Sequence, residues 1–488
     1  MRGRDLQLLG GIVVLAAIAR FATLDLQSFW YDEAVTVGLV EMDFGDMLDR
    51  IPESESTPPL YYWLAWVWAK LFGTGEVGLR SLSALFGTAA IPVVYAAGAR
   101  LATRRAGLFG AAIVAVSPVL IWFSQDARAY SLAVLLSALS FYFFVAARET
   151  ADRRDLACWA AFSALALATH YFTAFLVIAE AALLLWRRRE ARALIAVGAV
   201  ALAGAALLPL AIHQSNTGHA DWVGKEDLGD RVSRTAVKLI GDDGGDEHGA
   251  RQPGPLPVAI PVLLALAGFA LLALRADPPE WRGALLALSV AGIGLLLPFL
   301  IGRIGSDYLL GRNLLPLFLP LLLALAIGYA ARRAGLLGLA CCAALCLTSL
   351  AYVVQMNRLP RLQREDLRHA AEVIGPAQGP RAVVTVNFFA DVPLAYYLGA
   401  TRAGGSPLRV SEIDVVGYGT PGRTARAGIP SAFRRVDVEP VTYNFTLTRF
   451  RAPRPTPVPF RSLNRGALVG SGGRAAVLVQ SGGQRPGT

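Results

Sequence analysis

"PPLYYWLAWVWAKLFG", residues 58–73, is the stretch on which the topology of this chain turns. Leu60 to Ala69 supplies ten uncharged residues, and Lys70 follows directly. A helix needs about 20 apolar residues to cross about 30 Å of hydrocarbon, so this segment is too short to span. Its tyrosines and tryptophans suit a helix lying at a membrane interface, where amphipathic rings settle.

The rest of the chain says why a membrane is at issue. Of 488 residues, 55% are hydrophobic and only 17% charged, and the mean hydropathy is +0.47. A soluble domain carries charge on nearer a quarter of its residues. Residues 106–123, 129–147, 193–212, 256–274, 283–302 and 334–355 contain no charged side chain, and each is about the length of one crossing. The expected fold is an all-α polytopic membrane protein with about eleven transmembrane helices. They are placed near 6–24, 81–99, 106–123, 129–147, 156–169, 171–186, 193–212, 256–274, 283–302, 309–331 and 334–355. The fifth and sixth are short and meet at "THYFT" (169–173), with one long helix as the alternative.

If 58–73 lies on the surface, the arginines sort to one side. Arg2/Arg4, Arg100/Arg104/Arg105, Arg148/Arg153/Arg154, Arg187/Arg188/Arg189/Arg192, Arg275/Arg282 and Arg332/Arg333 then all face the cytoplasm. If it spans, every later cluster moves outside, against the positive-inside rule. The expected localisation is therefore the plasma membrane, multi-pass, with the N-terminus cytoplasmic. The loop 25–80, with its interfacial helices, falls outside. So do the turn "SQDARAY" (124–130), the loop 213–255, "GRIGSDYLLGRN" (302–313) and the whole region after 356. Arg2 and Arg4 before an apolar run resemble a signal peptide, but the many later spans favour an uncleaved first helix.

The net charge of +10 is almost entirely arginine, since lysine occurs only at 70, 225 and 238. That bias reads as composition, and no nucleic-acid partner follows from it. The cysteines at 158, 341, 342 and 346 lie in apolar blocks, with no disulfide framework or zinc spacing.

Two parts are expected: a membrane module, 1–356, and an extracytoplasmic region, 357–488. In the latter, 362–375 reads as a helix, 381–400 as strand, loop and short helix, and 433–452 and 473–480 as strands. That is a small α/β domain with a Gly/Pro/Arg-rich end.

Within "SFWYDEAVTV" (28–37), Asp32 and Glu33 sit among Phe29, Trp30, Tyr31, Ala34 and Val35. A loop in water carries acids freely, whereas withdrawing carboxylates into an interfacial segment is costly and marks function. "FSQDARAYS" (123–131) puts Asp126 and Arg128 on the same external face of the membrane as Asp32 and Glu33; Asp126 and Tyr130, four apart, would share a helix side, and Arg128 points elsewhere. An arginine there either snorkels to the headgroups or binds phosphate through its planar fork of donors. Arg312, at the outer end of an apolar helix, is a second phosphate candidate; Arg303 nearby reads as an anchor. His170 and Tyr171 sit at the external break, lining a cavity or packed in the core. Glu180 lies within a span and needs a buried partner. The loop tip "GDDGGDEHG" (241–249), with His248, fits no calcium-loop spacing and reads as solvated.

Together these pieces resemble the GT-C superfamily of glycosyltransferases, and within it the bacterial branch akin to protein O-mannosyltransferases and lipid A aminoarabinose transferases. The resemblance runs through "FWYDEA", "PPLYYWLAWVWAKLFGTGEVGLRSLSALFG" (58–87), "SQDARAYSL" (124–132), "THYF" (169–172) and "YLLGRNLLPLFLPLLLALA" (308–326). It implies an integral membrane enzyme moving a sugar from a polyprenyl-phosphate donor to an acceptor hydroxyl, on a glycolipid, glycan or protein, with inversion. It implies Asp32 as general base, Glu33 beside it as a positioning or metal-linked acid, and Asp126 in the next motif. Arg128 and Arg312 fall to the donor phosphate, with Tyr31, Tyr61, Tyr130, His170 and Tyr171 as pocket candidates. One departure stands out: many relatives carry His or Lys just before Pro-Pro, where this chain has Thr57 in "ESESTPP" (53–59). Metal dependence varies across the superfamily, so a divalent metal is possible and none is assigned. The rivals are a flippase for polyprenyl-linked sugars, which would bury charges along its spans, a transferase using diphosphate-linked glycans, and a membrane-anchored glycan sensor.

Overall fold

A computed structural model describes residues 3–218, 227, 229, 231–233, 235, 258–303, 308–418 and 428–481. The tip at 241–249 and residues 304–307 lie outside these. The chain divides into two compact units, one of residues 1–24 with 39–362 and one of 25–38 with 363–488.

The first unit is helical. Its opening elements are α1 (Gly3–Phe21), α3 (Phe44–Ser54), α4 (Leu60–Phe72), α5 (Glu76–Leu101), α6 (Arg104–Val116), α7 (Pro118–Ser124), α8 (Tyr130–Thr150), α9 (Arg153–Thr169), α10 (Ala174–Arg187) and α11 (Ala191–Ser215), while α2 (Tyr31–Glu41) begins in the other unit. Among the described residues, six helical stretches are long and apolar enough to cross a membrane: Glu76–Leu101, Tyr130–Thr150, Ala191–Ser215, Pro278–Gly302, Gly311–Ala330 and Arg332–Arg358. α6 and α7 make a seventh if they form one bent span. Leu202 and Leu336 stand exposed on these helices, and Leu263 and Leu274 on the shorter apolar helix Ala259–Arg275, a surface suited to lipid and not to water. This is a multi-pass membrane protein.

α4 runs thirteen residues, about 20 Å at 1.5 Å per residue, short of the hydrocarbon thickness. Tyr61, Tyr62, Ala65 and Ala69 form its buried stripe, while Trp63, Leu64, Val67, Leu71 and Phe72 face outward. The junction at 169–173 is a true break: His170 is extended and a 3₁₀ turn, Tyr171–Thr173, separates α9 from α10.

The stretch 106–123, expected as one span, is instead bent by 59° between α6 and α7. Pro118 lacks an N–H and forces Ser117 into an extended conformation (φ −60°, ψ 120°). The carbonyls freed at the bend are covered by Arg20, which is 1% exposed. Its Nη1 donates to the Ala115 carbonyl at 2.9 Å, Nη2 to Val114 at 3.1 Å and Nε to Ser124 Oγ at 3.2 Å. Glu180 also has its buried partners: Ser140 Oγ and Trp159 Nε1 donate to Oε2 at 2.6 and 2.9 Å. The helix Leu315–Ala330 is buried along its whole length at the centre of the unit. Helix Ala259–Arg275 crosses it closely enough that a Cβ on Gly328 would lie 2.2 Å from the Gly268 carbonyl oxygen.

The second unit is an α/β fold with a six-stranded sheet ordered β2-β6-β1-β3-β5-β4. The strands are β1 (Arg381–Val386), β2 (Thr401–Arg402), β3 (Leu408–Tyr418), β4 (Arg434–Pro440), β5 (Phe445–Val458) and β6 (Ala475–Gln480). β1 pairs parallel with β3, Val383 opposite Asp414, and antiparallel with β6, Val383 opposite Leu478. The strands at 381–386, 434–458 and 475–480 and the helices Leu367–Ile374 and Asp391–Leu398 lie where the sequence places them. β3 was not expected. It carries Glu412 and Asp414 into the sheet, where Arg381, Arg449 and Arg451 pair with them at 2.6–3.7 Å.

Candidate functional site

The acidic pair occupies the first turn of α2, where helix amides favour negative charge. The two acids differ in environment. Glu33 is fully buried, its Oε2 3.1 Å from Arg364 Nη1 and 3.5 Å from the Trp30 amide. Asp32 is half-buried. Arg364 lies over the Trp30 ring, 5.1 Å from its centroid, and its own amide donates to Gln27 Oε1 at 2.9 Å. Tyr31 meets Phe388 edge to face at 6.2 Å. Glu33, the acid expected to position or to hold a metal, thus has a guanidinium as its partner. Among the described residues no group of three or more His, Cys, Asp and Glu side chains is arranged to hold a metal ion.

The remaining candidates lie in the helical unit. Residues 125–129 form a bend, not a helix, so Asp126 and Tyr130 do not share a helix side as their spacing suggested. The Arg128 amide donates to the Asp126 carbonyl at 2.7 Å, and this tight turn swings the Arg128 side chain toward the end of α3. There it meets a residue that sequence reasoning missed. Arg128 Nη1 and Nη2 grip Glu55 Oε1 and Oε2 at 2.9 and 2.7 Å, a bidentate pair with side chains 9% and 2% exposed. The Tyr62 hydroxyl, its pKa raised well above normal by burial, donates to Glu55 Oε2 at 2.6 Å and lies 3.0 Å from Thr57 Oγ1. Asp126 itself is fully buried.

His170 lies 5.5 Å, ring to ring, from Tyr130. Burial first, and then the charges of Arg312 and Arg128, push its imidazole down to about 3, so it is neutral at physiological pH. Its Nδ1 accepts from the Phe172 amide at 3.4 Å, which leaves the proton on Nε2. Tyr171 donates to Gln214 Oε1 at 2.8 Å, and Gln214 Nε2 donates to the Thr57 carbonyl at 3.2 Å. The Tyr61 hydroxyl lies 3.2 Å from Ser83 Oγ, which donates to the Arg128 carbonyl at 3.4 Å. Arg312, half-buried, lies on a 3₁₀ turn, Gly311–Leu314, that leads into the central helix. Tyr61, Asp126, Arg128, Tyr130, His170, Tyr171 and Arg312 therefore belong to one neighbourhood of this unit. Its charged groups include the guanidiniums of Arg128 and Arg312 and the buried carboxylate of Asp126, with Arg128 paired to Glu55.

Residues 56–213 match the family model described as dolichyl-phosphate-mannose-protein mannosyltransferase. That segment holds Tyr61, Asp126, Arg128, Tyr130, His170 and Tyr171. No curated protein matches the sequence. Among solved structures, ArnT from Cupriavidus metallidurans in the apo state aligns with a TM-score of 0.53 and 14% identity, over 90% of this chain and 97% of that one. The same protein bound to undecaprenyl phosphate gives 0.55 and 14%, with the same coverage. At that identity the likeness is one of fold. The chain thus resembles the GT-C membrane glycosyltransferases in two ways, by the family match over residues 56–213 and by the fold it shares with ArnT.

Proposed function

We propose that this protein transfers a sugar from a polyprenyl-phosphate donor to an acceptor hydroxyl at the extracytoplasmic face of the plasma membrane, with inversion. The observation that carries the reading is the split environment of the acidic pair. Glu33 is sealed against Arg364, while Asp32, one position earlier on the same helix turn, keeps partial access to solvent. Two carboxylates held in unlike surroundings are the usual means of separating a structural acid from a working one.

Asp32 takes the proton from the acceptor hydroxyl as that oxygen forms its bond to the anomeric carbon. The bond from that carbon to the lipid phosphate breaks in the same displacement, and the phosphate departs with its charge. Arg128 and Arg312 are the cations for that charge, and neutral His170 offers Nε2–H. The half-buried Arg312 and the apolar helices beside it suit a phosphate carried on a lipid tail. The acceptor is a glycolipid, glycan or protein hydroxyl. The reading has about eleven spans, counted from the apolar runs, with the N-terminus cytoplasmic by the arginine distribution.

The test uses membranes holding wild-type or Asp32→Asn protein and a panel of labelled undecaprenyl-phosphate sugars. Label should leave the lipid in the wild type and stay there in the variant. Transfer by Asp32→Asn at the wild-type rate refutes the assignment of the base.

A further inference from the structure

The stretch 25–38 packs within its unit against Phe388 and Tyr396 through the rings of Tyr31 and Phe29, and its polar contacts include several from one short segment, 364–368, and one from Tyr397. Arg364 supplies three of them: the ion pair to Glu33, the stacking on Trp30 and the amide donated to Gln27. Ser28 Oγ donates to the Glu365 carbonyl and accepts from the Leu367 amide, both at 3.0 Å. Arg368 Nη2 donates to the Asp25 carbonyl at 2.9 Å, and the Phe29 amide donates to the Tyr397 hydroxyl at 2.7 Å.

We propose that Arg364 is a positioning residue for the transfer: its guanidinium fixes Glu33 and Trp30, and through them sets the first turn of α2 so that Asp32 is held at the reacting hydroxyl. The inference rests on Asp32 being the base. The physical reason is the cost of Glu33. A fully buried carboxylate needs a charge partner and hydrogen bonds to stay ionised. Loss of the Arg364 charge favours a protonated Glu33 side chain or one swung toward water. Swinging rotates the helix turn that also carries Asp32. The guanidinium is suited to the task because it is planar, stacking on an indole face while it hydrogen-bonds a carboxylate, which an ammonium does less well. The C-terminal unit is on this account part of the catalytic apparatus.

The test compares full-length wild type with Arg364→Gln, Arg364→Lys, Glu33→Gln, the Arg364→Gln/Glu33→Gln double variant and Asp32→Asn. Label transfer is measured from the undecaprenyl-phosphate sugar panel, and thermal unfolding is followed on the same preparations. Arg364→Gln should lower kcat about 10²-fold, the scale on which displacing a reacting group by about an ångström acts, with the donor KM little changed. Arg364→Lys should recover part of that loss. The double variant should transfer at least as well as Arg364→Gln alone, because a neutral amide at position 33 no longer needs the guanidinium. Wild-type kcat in Arg364→Gln, or a double variant whose loss is the product of the two singles, overturns the inference while Asp32→Asn still reports on the base. If Asp32→Asn transfers normally, or the wild type uses no donor, the functional reading fails. The unfolding data then decide the clasp alone: single variants less stable than the double support it, and additive losses overturn it.

Discussion

Glu55 and Arg128 offer the sharpest stability prediction. In Arg128→Gln the Glu55 carboxylate, 2% exposed, loses both guanidinium hydrogen bonds and keeps the Tyr62 hydroxyl. Breaking a buried pair by removing one partner costs about 3–5 kcal/mol, because the remaining charge is stranded away from water. Glu55→Gln strands the guanidinium instead, at 9% exposure, and should cost a similar amount. The double variant Glu55→Gln/Arg128→Gln removes both charges and should lose only about 1–2 kcal/mol, the scale of imperfectly remade neutral hydrogen bonds. The assay is thermal unfolding of the purified full-length chain in detergent, read by tryptophan fluorescence. A double variant that loses the sum of the two single losses would refute the reasoning, since additivity means the charges do not compensate each other.

Arg312→Ala should raise the donor KM about 10-fold or more, as expected for a lost charged hydrogen bond to phosphate; steady-state kinetics over donor concentration checks it. His170 sets a pH dependence. Its pKa is about 3 when folded against 6.5 unfolded, so between these values the unfolded chain binds a proton that the folded chain does not. Stability is complete above pH 6.5 and is lost as the pH falls toward 3. Unfolding temperatures between pH 7 and pH 5 should therefore drop less in His170→Gln than in the wild type. Arg20→Leu uncovers the Val114 and Ala115 carbonyls at the bend of α6 and α7. At about 1–3 kcal/mol for each buried unsatisfied group, folded yield in membranes should fall sharply.

What could be read in the sequence was whatever depends on length and local chemistry. Ten apolar residues before Lys70 exclude a span at 58–73, and α4 is accordingly short, with one buried stripe. His170 and Tyr171 mark a break, and the chain breaks there. What could not be read depends on partners far along the chain. Glu55 stands in "ESES", which has the composition of a solvated loop. It is buried because Arg128, 73 residues later, reaches it. Arg364 stands in a polar stretch that reads as helix, in the non-helical chain just before Leu367, 331 residues from the acid it binds. β3 went unseen because Glu412 and Asp414 interrupt its apolar pattern, and only the folded sheet brings the arginines that make those acids tolerable inside it. The bend at Ser117-Pro118 was written in the sequence but outweighed by the apolar length around it. Thr57, where the resemblance implies His or Lys, touches Tyr62 within the Glu55 network. The local departure and the unforeseen acid therefore belong to the same few side chains.

The most direct test of the account is the release of label from undecaprenyl-phosphate sugars by membranes carrying wild-type or Asp32→Asn protein at matched expression. A positioned general base contributes about 10²–10⁴ in rate. The account predicts transfer by the wild type and a loss of that order in the variant, with the unfolding temperature unchanged. Equal transfer by both proteins would contradict it.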